Sequence, residues 1–255
     1  MSIAPNRKAL KKRMDRYLWD NNSEEMKLLQ ESLHNHFDRF ARVAIIGGLV
    51  RDIAREGRSS YRTDVDLVIE DSPENVTKLA KSINAIPNRF GGYGFKDGLW
   101  KIDFWALDTT WAKRHISVNT IEDLTKSTFF DWDAVAYVIH ERKLICCDKY
   151  LEKLSTSILD INLHPNPSNM GNLVRAIRRI AIWNAKPGPA LASFIDEHLN
   201  EDSLLYVQEK EKELYQMQVS TKWKNASEAK NFLFSVTPKK KRQLALHYQH
   251  INTKS

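Results

Sequence analysis

A short apolar strand that runs directly into two adjacent glycines sets the tightest limit on what this chain can fold into. Val43-Ala44-Ile45-Ile46 has the length and the branched side chains of a buried strand, and it ends at Gly47-Gly48. The residues that follow, from about Leu49 to Glu56, read as a helix. A glycine pair at a strand-to-helix junction lets the backbone approach a ligand closely. The first turn of such a helix also offers free N–H groups to an anion. Arg51, in that turn, can reach a phosphate in the same place. Taken alone, the pair is equally what an ordinary tight turn uses.

Two acids downstream sharpen the reading. A turn-rich link, Gly57-Arg58-Ser59-Ser60, leads into a second strand at Val65 to Ile69. Residues two apart on a strand share a face, so Asp64 and Asp66 point one way while Val65 and Leu67 point the other. Carboxylates so placed repel one another unless a cation lies between them, and hard oxygen ligands suit Mg²⁺. The segment Trp100 to Trp105 alternates as well, with Lys101, Asp103 and Trp105 on one face. Asp103 supplies a third carboxylate if that strand lies beside the first two. Any one of these acids alone reads as a solvated strand-end residue; the set does not.

The rest of the chain divides in texture. Residues 7–19 and 23–40 read as helices, the second with Asn22 as N-cap and Glu25 in its first turn. Asn75–Ile83 is a further helix, and residues 90–98 hold four of the nine glycines, a hairpin or a flexible flap. Helical stretches are expected near 120–138 and a short strand at Leu144-Ile145. From Asn169 to Lys186, Leu173, Val174, Ile177, Ile180 and Ala181 form an apolar stripe at helical spacing, and the last seventy or so residues read mostly as helix. The fold class is therefore α+β, a mixed first half and a helical second half. The boundaries expected are 1–40, a basic helical segment; 41–150, a catalytic head; and 151–255, a helical region.

Composition excludes some alternatives. Seven Trp, ten Phe and eight Tyr supply burial that a wholly disordered chain lacks. No apolar run approaches the roughly 20 residues of a membrane span, and no secretory signal is visible, so a cytoplasmic protein without membrane contact is expected. Cys146 and Cys147 are adjacent and poorly placed to bridge each other, which suits reduced thiols. The net charge of +7 is concentrated at the ends: residues 1–19 and 238–255 carry +5 each, leaving −3 between them. Basic ends suit contact with a polyanion such as RNA, or serve as solvated tails.

Gly-Gly-x-Val-Arg-Asp at 47–52, then Asp-x-Asp in a strand at 64–66, resembles the head domain of class II CCA-adding tRNA nucleotidyltransferases and bacterial poly(A) polymerases. These families belong to the polymerase-β-like nucleotidyltransferase superfamily. The order of motifs is kept onward through Thr120 to Leu124, Asp133-Ala134-Val135-Ala136-Tyr137, Asp148 to Leu154 and Val174-Arg175-Ala176-Ile177-Arg178. The resemblance implies a polymerase-β-like head followed by helices. It implies Asp64 and Asp66 as ligands of Mg²⁺, and Gly47, Gly48 and Arg51 around the triphosphate of an NTP. Asp52 would support that loop or touch the nucleotide, and Asp103 would act as metal ligand or base. Arg175 and Arg178 fall on the family's neck helix, where they face phosphate or form a solvated basic face.

Two departures bear on specificity. Ser127-Thr128-Phe129 stands where the family has Arg-Arg-Asp, which helps to bind sugar and phosphates. Ser168 to Asn172 stands where it has Glu-Asp-x-x-Arg, which selects the base. Asn169 and Asn172 can read a base edge through their amides, or serve as a helix cap and a turn residue. CCA specificity is thus not implied, and the 72 residues after Trp183 are fewer than the family's body and tail domains need. The expected activity is transfer of a nucleoside monophosphate from an NTP to an acceptor hydroxyl, with RNA the first choice of acceptor. A protein or nucleotide acceptor is the alternative, as is a nucleotide- or RNA-binding protein with reduced catalysis.

Overall fold

Strand alternation and helix capping account for most of the architecture. The computed structural model describes residues 2–57 and 64–236. In chain order these form α1 (Arg7–Leu18), α2 (Glu24–Phe37), β1 (Val43–Ile46), α3 (Gly48–Glu56), β2 (Val65–Ile69) and α4 (Pro73–Ser82). Next come β3 (Ile86–Pro87), β4 (Tyr93–Asp97) and β5 (Trp100–Ala106), with short 3-10 turns through much of 107–133. Then follow β6 (Val135–Val138), β7 (Lys143–Cys146), α5 (Tyr150–Ser155), β8 (Ile158–Leu159), α6 (Asn169–Trp183) and β9 (Lys186–Pro187). The helices α7 (Pro189–His198), α8 (Glu201–Leu214) and α9 (Ala226–Ser235) complete the chain described. Arg58, Ser59 and Ser60 of the expected link, and the basic run 238–255, lie outside the described residues.

The main sheet has the order β3-β4-β5-β2-β1-β6-β7. Only β2 and β5 run parallel; the other neighbours are antiparallel. Its two faces bury different amounts. On one face Val43, Ile45, Val65, Leu67, Ile102, Phe104 and Tyr137 meet the helices in a single large core, which also takes in Leu10, Met14 and Leu18 of α1 and Leu173 and Ile177 of α6. On the other, Ala44, Val68, Ala136 and Val138 are covered by a smaller cluster containing Leu107, Val118, Ile121, Leu124 and Leu163. That second cover is partial, and the acids of β2 and β5 lie on its side of the sheet. At about 25 cal/mol per Å² of apolar area, the larger core carries most of the driving force.

Four elements differ from expectation, each for a local reason. Val135–Val138 is not helical but a central strand, hydrogen-bonded to both β1 and β7. Every residue of it is buried, and a fully buried four-residue run carries no alternation to distinguish it from helix. The N-cap of α2 is Ser23, whose hydroxyl accepts from Met26 N, and not Asn22. Helix α6 stops at Trp183 because Asn184 adopts the left-handed conformation, and Lys186-Pro187 pairs with β8 as a strand. The glycine-rich 90–98 segment contains β4, hydrogen-bonded to β5 from Tyr93 to Asp97. No described helix is long and apolar enough to cross a membrane.

Candidate active site

The parallel pairing of β2 with β5 places Asp66 directly beside Asp103. Both belong to the thinly covered face, since Val65, Leu67, Ile102 and Phe104 occupy the core on the other. Asp64 lies just before β2 with its side chain 54% exposed, against 15% for Asp103. Lys101 spans the gap: its Nζ is 2.8 Å from Asp64 Oδ2 and 2.9 Å from Asp103 Oδ2. The three carboxylates thus gather on one rim with an ammonium among them.

Their proximity has an electrostatic consequence. Burial, and then the charges of Asp103 and Asp64, push the Asp66 carboxyl from its ordinary 3.8 up to about 7. Arg175 of α6 and Lys101 pull it partly back, so α6 brings Arg175 to the same rim. Burial works against the Lys101 charge, but hydrogen bonds from Asp64 and Asp103 prevail and hold its pKa above the usual lysine range.

Small residues of β4 make room for this arrangement. A Cβ on Gly94 would lie 2.3 Å from Asp103 Oδ1, and one on Gly92 would lie 2.4 Å from the Trp105 ring. The glycine-rich stretch is therefore packed, with the side chains of β5 lying over its backbone.

At the other edge of the site, Gly47 has φ +64° and ψ −114°, a conformation that costs a residue with a Cβ of the order of 1–3 kcal/mol. Its N–H is held by Val135 O at 3.0 Å, and no side chain caps α3. The turn therefore leaves the first N–H groups of α3 without a side-chain acceptor, as an anion site requires.

Arg51 braces this turn from beneath. Its side chain is buried and lies 2.8 Å from Asp52 Oδ1 and 2.5 Å from Asp133 Oδ1. The second oxygen of Asp133 accepts from Arg179 Nη2 of α6 at 2.8 Å. Burial favours the neutral form of Asp133, yet Arg179 and Arg51 override it and hold the carboxyl at about 2. Burial lowers the Arg179 guanidinium to about 10, and its Nη1 makes no hydrogen bond among the described residues. Two elements, α3 and α6, are clamped together through one carboxylate. Asp133 and Lys101 escaped the sequence reading as site residues, although each stood within a segment singled out there.

The remaining candidates separate. Asn172 is buried and accepts from Arg175 Nη1 at 3.2 Å, which holds the exposed Arg175 in place. Asn169 is exposed and bonds His198. The cap of α6 is neither asparagine but Ser168. Arg178 is not on this rim: its Nη1 lies 2.6 Å from the fully buried Glu211 and from Met217 O, and its guanidinium covers Tyr215. Ser127 and Thr128 spend their hydroxyls on backbone carbonyls of Leu124 and Phe130, and Phe129 packs against Phe130 and Phe194.

A divalent metal was tested against these side chains. Among the described residues no three His, Cys, Asp or Glu side chains form a ready cage. Mg²⁺ does not need one, because it is usually held by one or two carboxylates and completed by water and substrate phosphate oxygens. The in-register Asp66 and Asp103 supply that pair. The repulsion that raises Asp66 is what a cation would relieve, so the donor set fits.

No protein-family model and no curated protein matches the chain. Among solved structures it is similar to an apo form of a CCA-adding enzyme at 18% identity, with a TM-score of 0.54, over 83% of this chain and 51% of that one. A CTP complex of a CCA-adding enzyme gives 18% and 0.54 over 84% and 52%, and an ATP complex gives 19% and 0.51 over 75% and 49%. This chain spans about half the length of the structures it matches. At these identities the likeness establishes the fold: a polymerase-β-like nucleotidyltransferase fold followed by a helical region.

Proposed function

We propose that the protein is a metal-dependent nucleotidyltransferase, moving a nucleoside monophosphate from an NTP to an acceptor hydroxyl, with RNA as the acceptor. The observation that carries this reading is the in-register Asp66–Asp103 pair, with Asp64 and Arg175 at the same rim of a nucleotidyltransferase fold. The similarity to CCA-adding enzymes solved with CTP and with ATP supports an NTP as donor.

Asp66 and Asp103 would hold Mg²⁺, with Asp64 at the open side. Such an ion neutralises phosphate charge and makes a hydroxyl a better nucleophile. The protein's own contribution is positioning. The α3 N–H groups at Gly47-Gly48 cradle phosphate oxygens, and Arg175 places a cation opposite the developing charge. Arg51 and Asp52 act beneath the turn, keeping Gly47 in its strained conformation. Asp66, with its pKa at about 7, is charged in only about half of the molecules at neutral pH without metal. Metal binding therefore displaces a proton, and Mg²⁺ affinity should rise with pH up to and through 7.

The deciding experiment incubates the protein with each labelled NTP, Mg²⁺ and total RNA. Label on RNA is expected; label on protein or nucleotide would redirect the acceptor. No transfer to any of the three would overturn the enzyme reading. Lys101 favours one alternative, a nucleotide- or RNA-binding protein with reduced catalysis, because its ammonium already sits among the carboxylates. The same assay separates the two.

A glycine offers a finer check. Gly94→Ala places a methyl 2.3 Å from Asp103 Oδ1 and must displace that carboxylate. A shift of about 1 Å at a reacting centre costs on the order of 100-fold, so the initial rate should fall by about that much with helix content unchanged. Wild-type turnover in Gly94→Ala would remove Asp103 from the site.

A further inference from the structure

We propose that the cleft between the 3-10 turn at Trp111–Arg114 and the facing ends of α6 and α7 binds a nucleobase, an inference that rests on the nucleotide-using reading above. The cleft has a volume of about 460 Å³, within the range of small-molecule sites. Two of its walls are built alike. Trp111 lies 4.3 Å from the ring of His115, and Phe194 lies 4.3 Å from the ring of His198, each pair four residues apart. Each imidazole is thus backed by a larger aromatic ring, which holds flat faces at the cleft wall without a long flexible side chain. Flat, sequence-tolerant faces of this kind are what a base stacks on.

A hydrogen-bond relay fixes the polar groups beside them. Asn166 Nδ2 donates to Asn169 Oδ1 at 2.7 Å, Asn169 Nδ2 bonds His198 Nε2 at 3.0 Å, and His198 Nδ1 bonds Phe194 O at 2.9 Å. One assignment satisfies all three. His198 carries its proton on Nδ1 and accepts at Nε2, and the Asn169 amide is oriented from both sides. That leaves Asn169 with one N–H and one lone pair side by side, the complement of a base edge that carries a donor next to an acceptor.

Charge excludes the other part of a nucleotide. Glu197 is the one Asp, Glu, Lys or Arg among the residues lining the cleft. A triphosphate would find a like charge and no cation, whereas an uncharged ring is indifferent to it. Position agrees with the carboxylate rim. Trp111 packs against the small cluster on the carboxylate face of the sheet. Along α6, Asn169 and Arg175 are six residues apart, about 9 Å at 1.5 Å per residue. A base in the cleft therefore lies about one nucleotide from phosphates held at Arg175. It belongs either to the incoming NTP or to the acceptor strand, and the two share the same chemistry.

The test uses the full chain and probes that cannot react. Titration with adenosine, cytidine, guanosine and uridine, followed by the ring C–H NMR signals of His115, His164 and His198, should give saturable shifts with at least one nucleoside. Ribose 5-phosphate should give none. Asn169→Leu and His115→Ala, both at exposed positions, should weaken that nucleoside at least about fivefold, and Trp111→Phe should retain most of the affinity. The same variants then meet α,β-methylene-ATP with Mg²⁺, and separately a short RNA ending in a 3′-deoxynucleotide. Whichever loses affinity is the source of the base. Static histidine signals, or nucleoside affinity unchanged in both exposed variants, overturn the cleft as a base site. So does unchanged affinity for both the ATP analogue and the RNA. None of these readouts needs turnover, so they stand apart from the labelled-NTP assay.

Discussion

Replacing Asp66 by Asn should abolish nucleotidyl transfer and, at the same time, make the metal-free protein more stable above neutral pH. The first effect follows from the role of the carboxylate as a metal ligand, and a loss of at least about a thousandfold is expected. The second follows from linkage. The folded-state carboxyl titrates at about 7 against an ordinary 3.8, so the fold favours its protonated form. That contribution is fully present below about pH 4 and is lost as the pH rises through 7. Asn removes the titration while keeping the shape. Thermal melts without metal should therefore coincide for the two proteins near pH 4. At pH 8 the variant should melt about 2–6 °C higher. Added Mg²⁺ should then reverse the order, because only the wild type gains by mass action. A variant that melts lower than wild type at pH 8 would show that Asp66 is not under repulsion from its neighbours. One that keeps its turnover would exclude Asp66 from catalysis.

The same residue illustrates what the chain makes legible. Strand alternation separates Asp64 and Asp66 from Val65 and Leu67 before any coordinates are known, because side chains on a strand have a strict period of two. The alternation of Trp100 to Trp105 likewise puts Asp103 on the opposite face from Ile102 and Phe104. What it cannot give is the register between the strands, which depends on contacts about forty residues apart. The pairing of Asp66 with Asp103, and the demotion of Asp64 to the rim, come from that register. Val135–Val138 failed for a related reason. A run buried on both faces has no period to read, and only its hydrogen bonds to β1 and β7 identify it as a strand. Motif position also says little about where a long side chain spends its charge. Arg175 and Arg178 are three apart on one helix, yet one borders the carboxylates while the other is neutralised by a buried glutamate. The acid that makes that difference, Glu211, lies in a helix with no motif at all.

The largest effect on stability is expected at Asp133. Its two oxygens are shared between Arg51 and Arg179, both buried, so removing it leaves two cations and only the Asp52 carboxylate beside them. Breaking a buried pair by deleting one partner costs about 3–5 kcal/mol, because the surviving charge has no solvent to fall back on. For a chain of this size that is a drop of roughly 10–15 °C in Tm for Asp133→Ala. Asp133→Asn preserves volume and two hydrogen-bonding positions, and should recover part of the loss at neutral pH. The dependence on pH has the opposite sense to that of Asp66. The carboxyl is held at about 2 against an ordinary 3.8, so its contribution is present above about pH 4 and is lost as the pH falls through 2. The gap in Tm between wild type and Asp133→Asn should therefore be constant from pH 5 to 8 and narrow below pH 4. Because Asp133 also holds α3 against α6, the Asn variant should lose affinity for α,β-methylene-ATP while its three site carboxylates stay intact. Equal Tm values for wild type and Asp133→Ala at pH 7 would show that the clamp between the glycine turn and α6 contributes nothing to the fold.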